Sequence, residues 1–185
     1  MELTNGYCKL ALNADDTNVH KYYHDNEYGF PINSDDELFG RLILEINQAG
    51  LSWDTILKKR ANFREAYSNF NIKKIARYTE QDRERLLSNA GIIRNKLKVN
   101  AAIHNAQQIL MLQKEHGSFQ AWLDLHHPLT RGKWVKLFKK TFKFTGGEIT
   151  NEFLMSSGYL GGCHDENCPI FKKAAAAGPK WMENK

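Results

Sequence analysis

Residues 44–60 read LEINQAGLSWDTILKKR, and the apolar positions on either side of Gly50 recur at helical spacing, not the alternation of a strand. Upstream, Ser34 and Glu37 have the S-x-x-E spacing of a capping box, which predicts a helix from about Asp35. Leu38, Phe39, Leu42, Ile43, Ile46 and Ala49 then form its apolar stripe. Ala49 and Gly50 stop that helix, and Trp53 opens a second one in which Trp53, Ile56, Leu57, Arg60, Phe63, Arg64 and Tyr67 share a face. Glu45 follows Leu42 by three residues and projects beside the stripe, where packing would desolvate it. Glu45 and Trp53 thus stand at opposing ends of a tight helical corner, a carboxylate and an aromatic plane that suit a planar base. The competing role for Glu45 is a cap or a salt bridge with Arg41, Lys58 or Arg60.

Outward from this corner the chain continues as helices with brief breaks. Thr79 and Asp82 cap one that runs to about Asn89, with Gly91 ending it; a long one from Arg94 stops at Gly117; Ser118 starts a short one closed by Pro128. Lys133–Phe142, Glu148–Ser157 and a short segment at Ala174–Ala177 complete the set. No segment alternates convincingly, so the expected class is all-α, a single domain over residues 1–185 arranged as two helical lobes around a cleft.

Three cysteines in 185 residues, one far from the other two, do not suggest a disulfide framework and favour a reducing compartment. The opening MELTNGYCKL lacks the basic and apolar regions of a signal peptide, and no apolar run approaches membrane length. The expectation is a soluble cytoplasmic protein without a membrane partner. A net charge of +5 favours an anionic partner, although most of the basic clusters (Lys58 to Arg60; Arg94, Lys96, Lys98; Lys133 to Lys143) read as solvated helix faces.

Three motifs can carry chemistry. LLSNAGIIRNKLKVNAAIHNA, residues 86–106, is a helix, a glycine-led turn and a second helix, within a helix-hairpin-helix spanning about residues 79–116. Such a turn offers backbone N–H groups to a DNA phosphate, reinforced here by Arg94, Lys96 and Lys98; an ordinary αα-hairpin has the same pattern. His164 and Cys168 are four apart, and with Cys8 and His24 they can close a Cys2His2 tetrahedron between residues 8–24 and 164–168. Cys163 in place of His164, or His20 in place of His24, is equally compatible with the spacing. Four protein ligands leave no position for water, so such a site is structural. HKYYHDNEYGFP, residues 20–31, mixes aromatic and polar groups that can hold a flipped base by its faces and edge, or simply pack.

Taken together, YHDNEYG, LEINQAGLSWDTILKKR, NAGIIRNKLK, KKTFKFTGG and the closing H-x-x-x-C resemble, in order and over most of the chain, the 3-methyladenine DNA glycosylase I family. The resemblance implies a helix-hairpin-helix glycosylase fold with a structural zinc near the termini, held by Cys8, His24, His164 and Cys168. It implies double-stranded alkylated DNA as partner and free 3-methyladenine as product, released by hydrolysis of the N-glycosidic bond. Position by position, Glu45 matches the base-reading and catalytic glutamate, Trp53 the stacking tryptophan and Tyr23 the pocket tyrosine. Gly50 and Leu51 are candidates to fill the gap left by the flipped nucleotide, and Gly91, Ile92, Ile93 and Arg94 form the DNA-binding turn. Asn95 stands where lyase-competent relatives carry lysine, which implies a monofunctional enzyme that leaves an abasic site. The aspartate usual after the hairpin of related glycosylases has no substitute in QQILMLQKEHG. A monomer on DNA is expected.

Several positions depart from the family pattern. Leu10 stands where tryptophan is usual, Tyr28 replaces the tryptophan of HDNEWG, and His20 occupies the place of a second pocket tyrosine. The segment between His127 and Lys139 is short, and Cys163 is added beside His164. Two other functions compete: a zinc-clasped module that binds damaged DNA without cleaving it, and thiol catalysis by Cys8 or Cys163.

Overall fold

The computed structural model describes residues 3–183, and every regular element among them is helical. In chain order the helices are α1 (Gly6–Leu12), α2 (Val19–Asn26), α3 (Asp35–Gln48), α4 (Trp53–Lys58), α5 (Arg60–Ala66), α6 (Ile72–Ile75), α7 (Glu80–Ser88), α8 (Lys96–His116), α9 (Phe119–His126), α10 (Arg131–Thr141), α11 (Gly147–Ser156) and α12 (Pro169–Ala176). Two compact units result: the contiguous stretch Asn33–Thr150, and a unit built from the segment up to Ile32 together with that from Asn151. No helix among the described residues is long and apolar enough to cross a membrane.

Helix α3 is central to the contiguous unit and packs on α4, α5, α6, α8 and α9. Its stripe proves too narrow a description, since every residue from Leu38 to Asn47 is buried. Ser34 Oγ accepts from Glu37 N at 3.4 Å, as the capping spacing predicts. The three acids that follow tie down three other elements. Asp35 accepts from Phe119 N at 2.7 Å and Gln120 N at 3.0 Å, capping α9. Asp36 accepts from Ile72 N at 3.0 Å, at the start of α6. Glu37 receives both guanidinium nitrogens of Arg64, on α5, at 2.8 and 2.6 Å.

The helix predicted from Trp53 through Tyr67 is interrupted. Lys59, at φ −93° and ψ 0°, separates α4 from α5, so Trp53 and Tyr67 do not share one helical face. The Lys59 side chain instead donates to the carbonyls of Ala90 at 3.0 Å and Gly91 at 3.3 Å, a tertiary pull that a periodic pattern does not register. Beyond α5, Ser68, Asn69 and Phe70 all have positive φ (51°, 56° and 59°), a left-handed turn of non-glycine residues. The turn seats the Phe70 ring on α3, where a Cβ at Gly40 would come within 2.4 Å of it.

The terminal unit is organised differently. Asn5 caps α1 by accepting from Tyr7 N and Cys8 N, and Asn18 caps α2 by accepting from His20 N. Asp165 accepts from Thr4 N and Asn5 N, each at 2.7 Å, which draws the first helix onto the loop before α12. Trp181 Nε1 donates to Gly29 O at 3.1 Å.

The Gly40–Phe70 contact gives a stability test. Gly40→Ala is expected to lower the urea midpoint, because overpacking costs about 1–3 kcal/mol and outweighs the roughly 1 kcal/mol that alanine gains over glycine inside a helix.

Candidate functional site

The corner between α3 and α4 places Glu45 and Trp53 as the sequence predicts. Glu45 is only 4% exposed, and Trp53, the first residue of α4, is half-buried. Arg41, one helical turn before Glu45, is buried too. Lys58, one of the alternative partners for Glu45, is engaged by Asp54 at 2.8 Å. Between the helices, Gly50 adopts φ +80° and Leu51 is 39% exposed. That tip is braced from its own helix: Leu51 N donates to Gln48 O at 2.7 Å, and Gln48 Nε2 donates to Leu51 O at 2.9 Å.

In the hairpin between α7 and α8 the second helix begins at Lys96, later than the expected Arg94, because Asn95 caps it by accepting from Leu97 N and Lys98 N. Gly91 N donates to Asn89 Oδ1 at 2.8 Å and Ile92 N to Asn89 O at 3.3 Å, so their N–H groups are already used, and the Ile92 side chain is buried. Ile93 is half-buried and Arg94 exposed. Among the described residues no hydrogen bond engages the backbone N–H of Ile93, Arg94 or Lys96. Lys98 corrects the sequence reading: it does not project with Arg94 and Lys96 but is 4% exposed, donating to Asn47 O at 2.9 Å and Ala49 O at 2.7 Å. The alternative was invisible in the sequence because an amphipathic count cannot tell a solvated lysine from one capping a neighbouring helix.

In the terminal unit Cys8, His24, His164 and Cys168 are all buried, with donor atoms within 4.8 Å of one another. His24 Nε2 lies 3.4 Å from Cys8 Sγ, 3.7 Å from Cys168 Sγ and 3.1 Å from His164 Nδ1. A tetrahedral ion with metal–sulfur bonds of about 2.3 Å and metal–nitrogen bonds of about 2.0 Å sets its donors roughly 3.3–3.8 Å apart, close to this array. The outer partners strengthen the fit. His24 Nδ1 faces Asp25 Oδ1 at 2.6 Å and His164 Nε2 faces Tyr28 O at 2.8 Å, so each ring commits its proton outward. The two facing nitrogens, 3.1 Å apart, are then left as acceptors that a shared metal ion would satisfy. The donor set can therefore hold a metal ion.

The rival ligands are placed elsewhere. His20 Nδ1 pairs with Tyr7 OH at 3.2 Å, and the Cys163 thiol faces the carbonyl of Met155 at 3.6 Å. Burial pushes the Cys163 thiol up to about 12, which disfavours the thiolate that nucleophilic work requires, and Cys8 is part of the Cys2His2 cluster. Tyr23, 2% exposed, lies beside Tyr28 with ring centroids 5.6 Å apart, and Tyr7 meets both edge-on at 6.4 and 5.5 Å. Tyr7 was not singled out by the sequence, since it precedes Cys8 with nothing around it to mark an aromatic cluster. Leu10, in the place of a family tryptophan, is 50% exposed.

An all-helical chain with a buried acid at a helical corner, a glycine-led hairpin and a Cys2His2 cluster defines a narrow class. The methyladenine glycosylase family model matches residues 13–136, and the chain belongs to that family. Its match includes His24 but not Cys8, His164 or Cys168. The chain is 36% identical over 157 residues to DNA-3-methyladenine glycosylase 1 of Escherichia coli (strain K12), covering 75% of this chain and 84% of that one. It is 35% identical over 165 residues to the DNA-3-methyladenine glycosylase of Haemophilus influenzae, covering 80% and 89%. Among solved structures, 3-methyladenine DNA glycosylase I from Staphylococcus aureus superposes with a TM-score of 0.77 at 30% identity, over 90% of this chain and 97% of that one. A tyrosine-to-phenylalanine variant of 3-methyladenine DNA glycosylase I, solved in complex with 3-methyladenine, gives 0.76 at 30% identity over 86% and 95%.

The cluster geometry has a spectroscopic consequence. Titrating metal-free protein with Co²⁺ should produce tetrahedral d–d bands with thiolate charge transfer; Cys8→Ser should reduce that charge transfer, and Cys163→Ser should leave it unchanged.

Proposed function

We infer that this protein is a DNA repair glycosylase that hydrolyses the N-glycosidic bond of 3-methyladenine in alkylated double-stranded DNA, releasing the free base and leaving an abasic site. The observation that carries the chemistry is the buried carboxylate of Glu45, on the helix that leads into the corner from which half-buried Trp53 opens the next helix. A carboxylate removed from water attracts a cation more strongly than it would in solvent, and a 3-alkylated adenine is cationic where adenine is neutral. Glu45 accepts from the amino edge of the base, and the Trp53 ring supplies a π face that a cationic ring prefers. Tyr23 is the third base-binding residue we propose. Because the alkylated base leaves with its charge neutralised, little acid catalysis is required. Stabilising the sugar cation that develops is the larger task, and Glu45 contributes to it electrostatically.

Base extrusion falls to the corner tip. Leu51, an exposed apolar side chain on a braced turn, enters the stack as the nucleotide leaves it, with Gly50 allowing close approach. The hairpin Gly91–Arg94 grips a phosphate of the strand: the N–H groups of Ile93, Arg94 and Lys96 carry no internal bond among the described residues, and the Arg94 side chain is exposed. Asn95, at the lyase position, is spent on capping α8, which fits a hydrolytic and monofunctional reaction. Cys8, His24, His164 and Cys168 would hold a structural zinc; with all four positions filled it supplies a cross-link and no open site for water. We propose that the protein acts as a monomer.

Free base released from methylated duplex DNA, resolved by chromatography, tests the reaction. Wild type should release 3-methyladenine, and Glu45→Gln should cut that release at least tenfold while leaving undamaged-duplex affinity nearly unchanged; folded, metal-loaded wild type that releases nothing would favour a module that binds damage without cleaving. Arg94→Ala should weaken binding to damaged and undamaged duplexes alike and reduce the slope of log K against log salt by about one phosphate contact. An unchanged slope would remove the hairpin from the DNA interface. Elemental analysis should find one zinc per chain, and stripping it should lower Tm.

A further inference from the structure

We infer that Lys98 is a positioning residue that links the DNA-gripping hairpin to the Gly50–Leu51 tip, so that phosphate capture and base extrusion are set by one rigid connection. The inference rests on the glycosylase function proposed above. Lys98 sits in the first turn of α8, directly after the hairpin turn, and its ammonium donates to Asn47 O at 2.9 Å and Ala49 O at 2.7 Å. Asn47 is the last residue but one of α3 and Ala49 its C-cap, and Gly50 follows Ala49 in sequence. The same helical turn carries exposed Lys96, and the preceding hairpin residue Arg94 is exposed as well. Cations for the phosphate and a post under the tip therefore issue from one short segment.

Lys98 is a costly way to end a helix. Among the described residues no carboxylate pairs with it, and burial pushes its ammonium below the ordinary lysine value. The negative end of α3 and the two carbonyls offset that burial, and the Phe144 ring, centred 5.9 Å from Nζ, closes the site. Phe144 has φ +61° and is 38% exposed, so the covering aromatic is itself held in a left-handed conformation. Gly50, at φ +80°, turns the chain after α3 but leaves the carbonyls of Asn47 and Ala49 to Lys98, which also connects α3 to the hairpin. The connection is what the lysine adds. Gln48 braces the tip from the other side through its bond to Leu51 O.

Lys98→Met and Lys98→Arg separate this role from general support of the fold. Three quantities are compared: affinity for free 3-methyladenine by calorimetry, extrusion signalled by 2-aminopurine beside a tetrahydrofuran abasic analogue in a duplex, and single-turnover base release from methylated duplex. Lys98→Met should reduce the extrusion signal and base release about tenfold, with free-base affinity within about twofold of wild type and the salt slope unchanged; Lys98→Arg should recover most of the loss. The inference is overturned if Lys98→Met changes neither extrusion nor release, or if free-base affinity falls in step with them, which would mark simple damage to the helix bearing Glu45. Should Lys98→Met fail to fold, Gln48→Ala removes the opposite brace and should give the same split, with no loss or a parallel loss counting against the inference. Wild type that releases no base would sink the glycosylase function, while the extrusion signal would still decide the role of Lys98.

Discussion

A helix leaves four amide and four carbonyl groups unpaired at its ends, and where burial limits water, side chains satisfy them. In the contiguous unit that constraint converges on α3. At its amino end Asp35, Asp36 and Glu37 face the positive end of the helix dipole while reaching outward to α9, α6 and the Arg64 of α5. At its carboxyl end a lysine from α8 takes the last carbonyls. The helix carrying the central acid is thus fixed at both ends by charged groups whose partners are mostly backbone atoms. Glu45 is 4% exposed on that doubly anchored helix.

The same economy recurs around the hairpin. Asn89 uses its side chain and its carbonyl to close the turn, Asn95 uses its side chain to start α8, and Lys59 and Asn62 both donate to the Gly91 carbonyl. Few apolar contacts are needed in so short a turn when its carbonyls and side chains are bonded inward. What remains for a ligand is a small set of amide donors. The phosphate grip proposed for this hairpin would use those donors with the turn already closed around them.

The parts of this structure that were legible in the sequence are those determined locally. Ser34, Thr79 and Ser118 announce helix starts because capping is decided within three residues, and the corner at Gly50 follows from a glycine after a periodic run. The Cys2His2 set was narrowed by spacing but not resolved; Tyr7 and Met155, which engage His20 and Cys163, decide it and lie far away in sequence or carry no signal. Helices α1 and α2 escaped because they are only seven and eight residues long, and α1 is anchored by Asp165, from the far end of the chain. Lys98, the break at Lys59 and the left-handed turn at Ser68–Phe70 share one cause. Each is local structure that yields to a partner on another element.

The terminal unit is assembled from both ends of the sequence, with Thr4 and Asp165 joined across 161 positions. Closing so long a loop is slow relative to forming contiguous helices. During translation the stretch Asn33–Thr150 emerges whole before the partners of the first thirty or so residues exist. Until the segment with His164 and Cys168 is made, Cys8 and His24 are only half of the Cys2His2 cluster. The order of synthesis therefore leaves the amino-terminal segment waiting on Asp165, His164 and Cys168 until the whole intervening stretch has emerged.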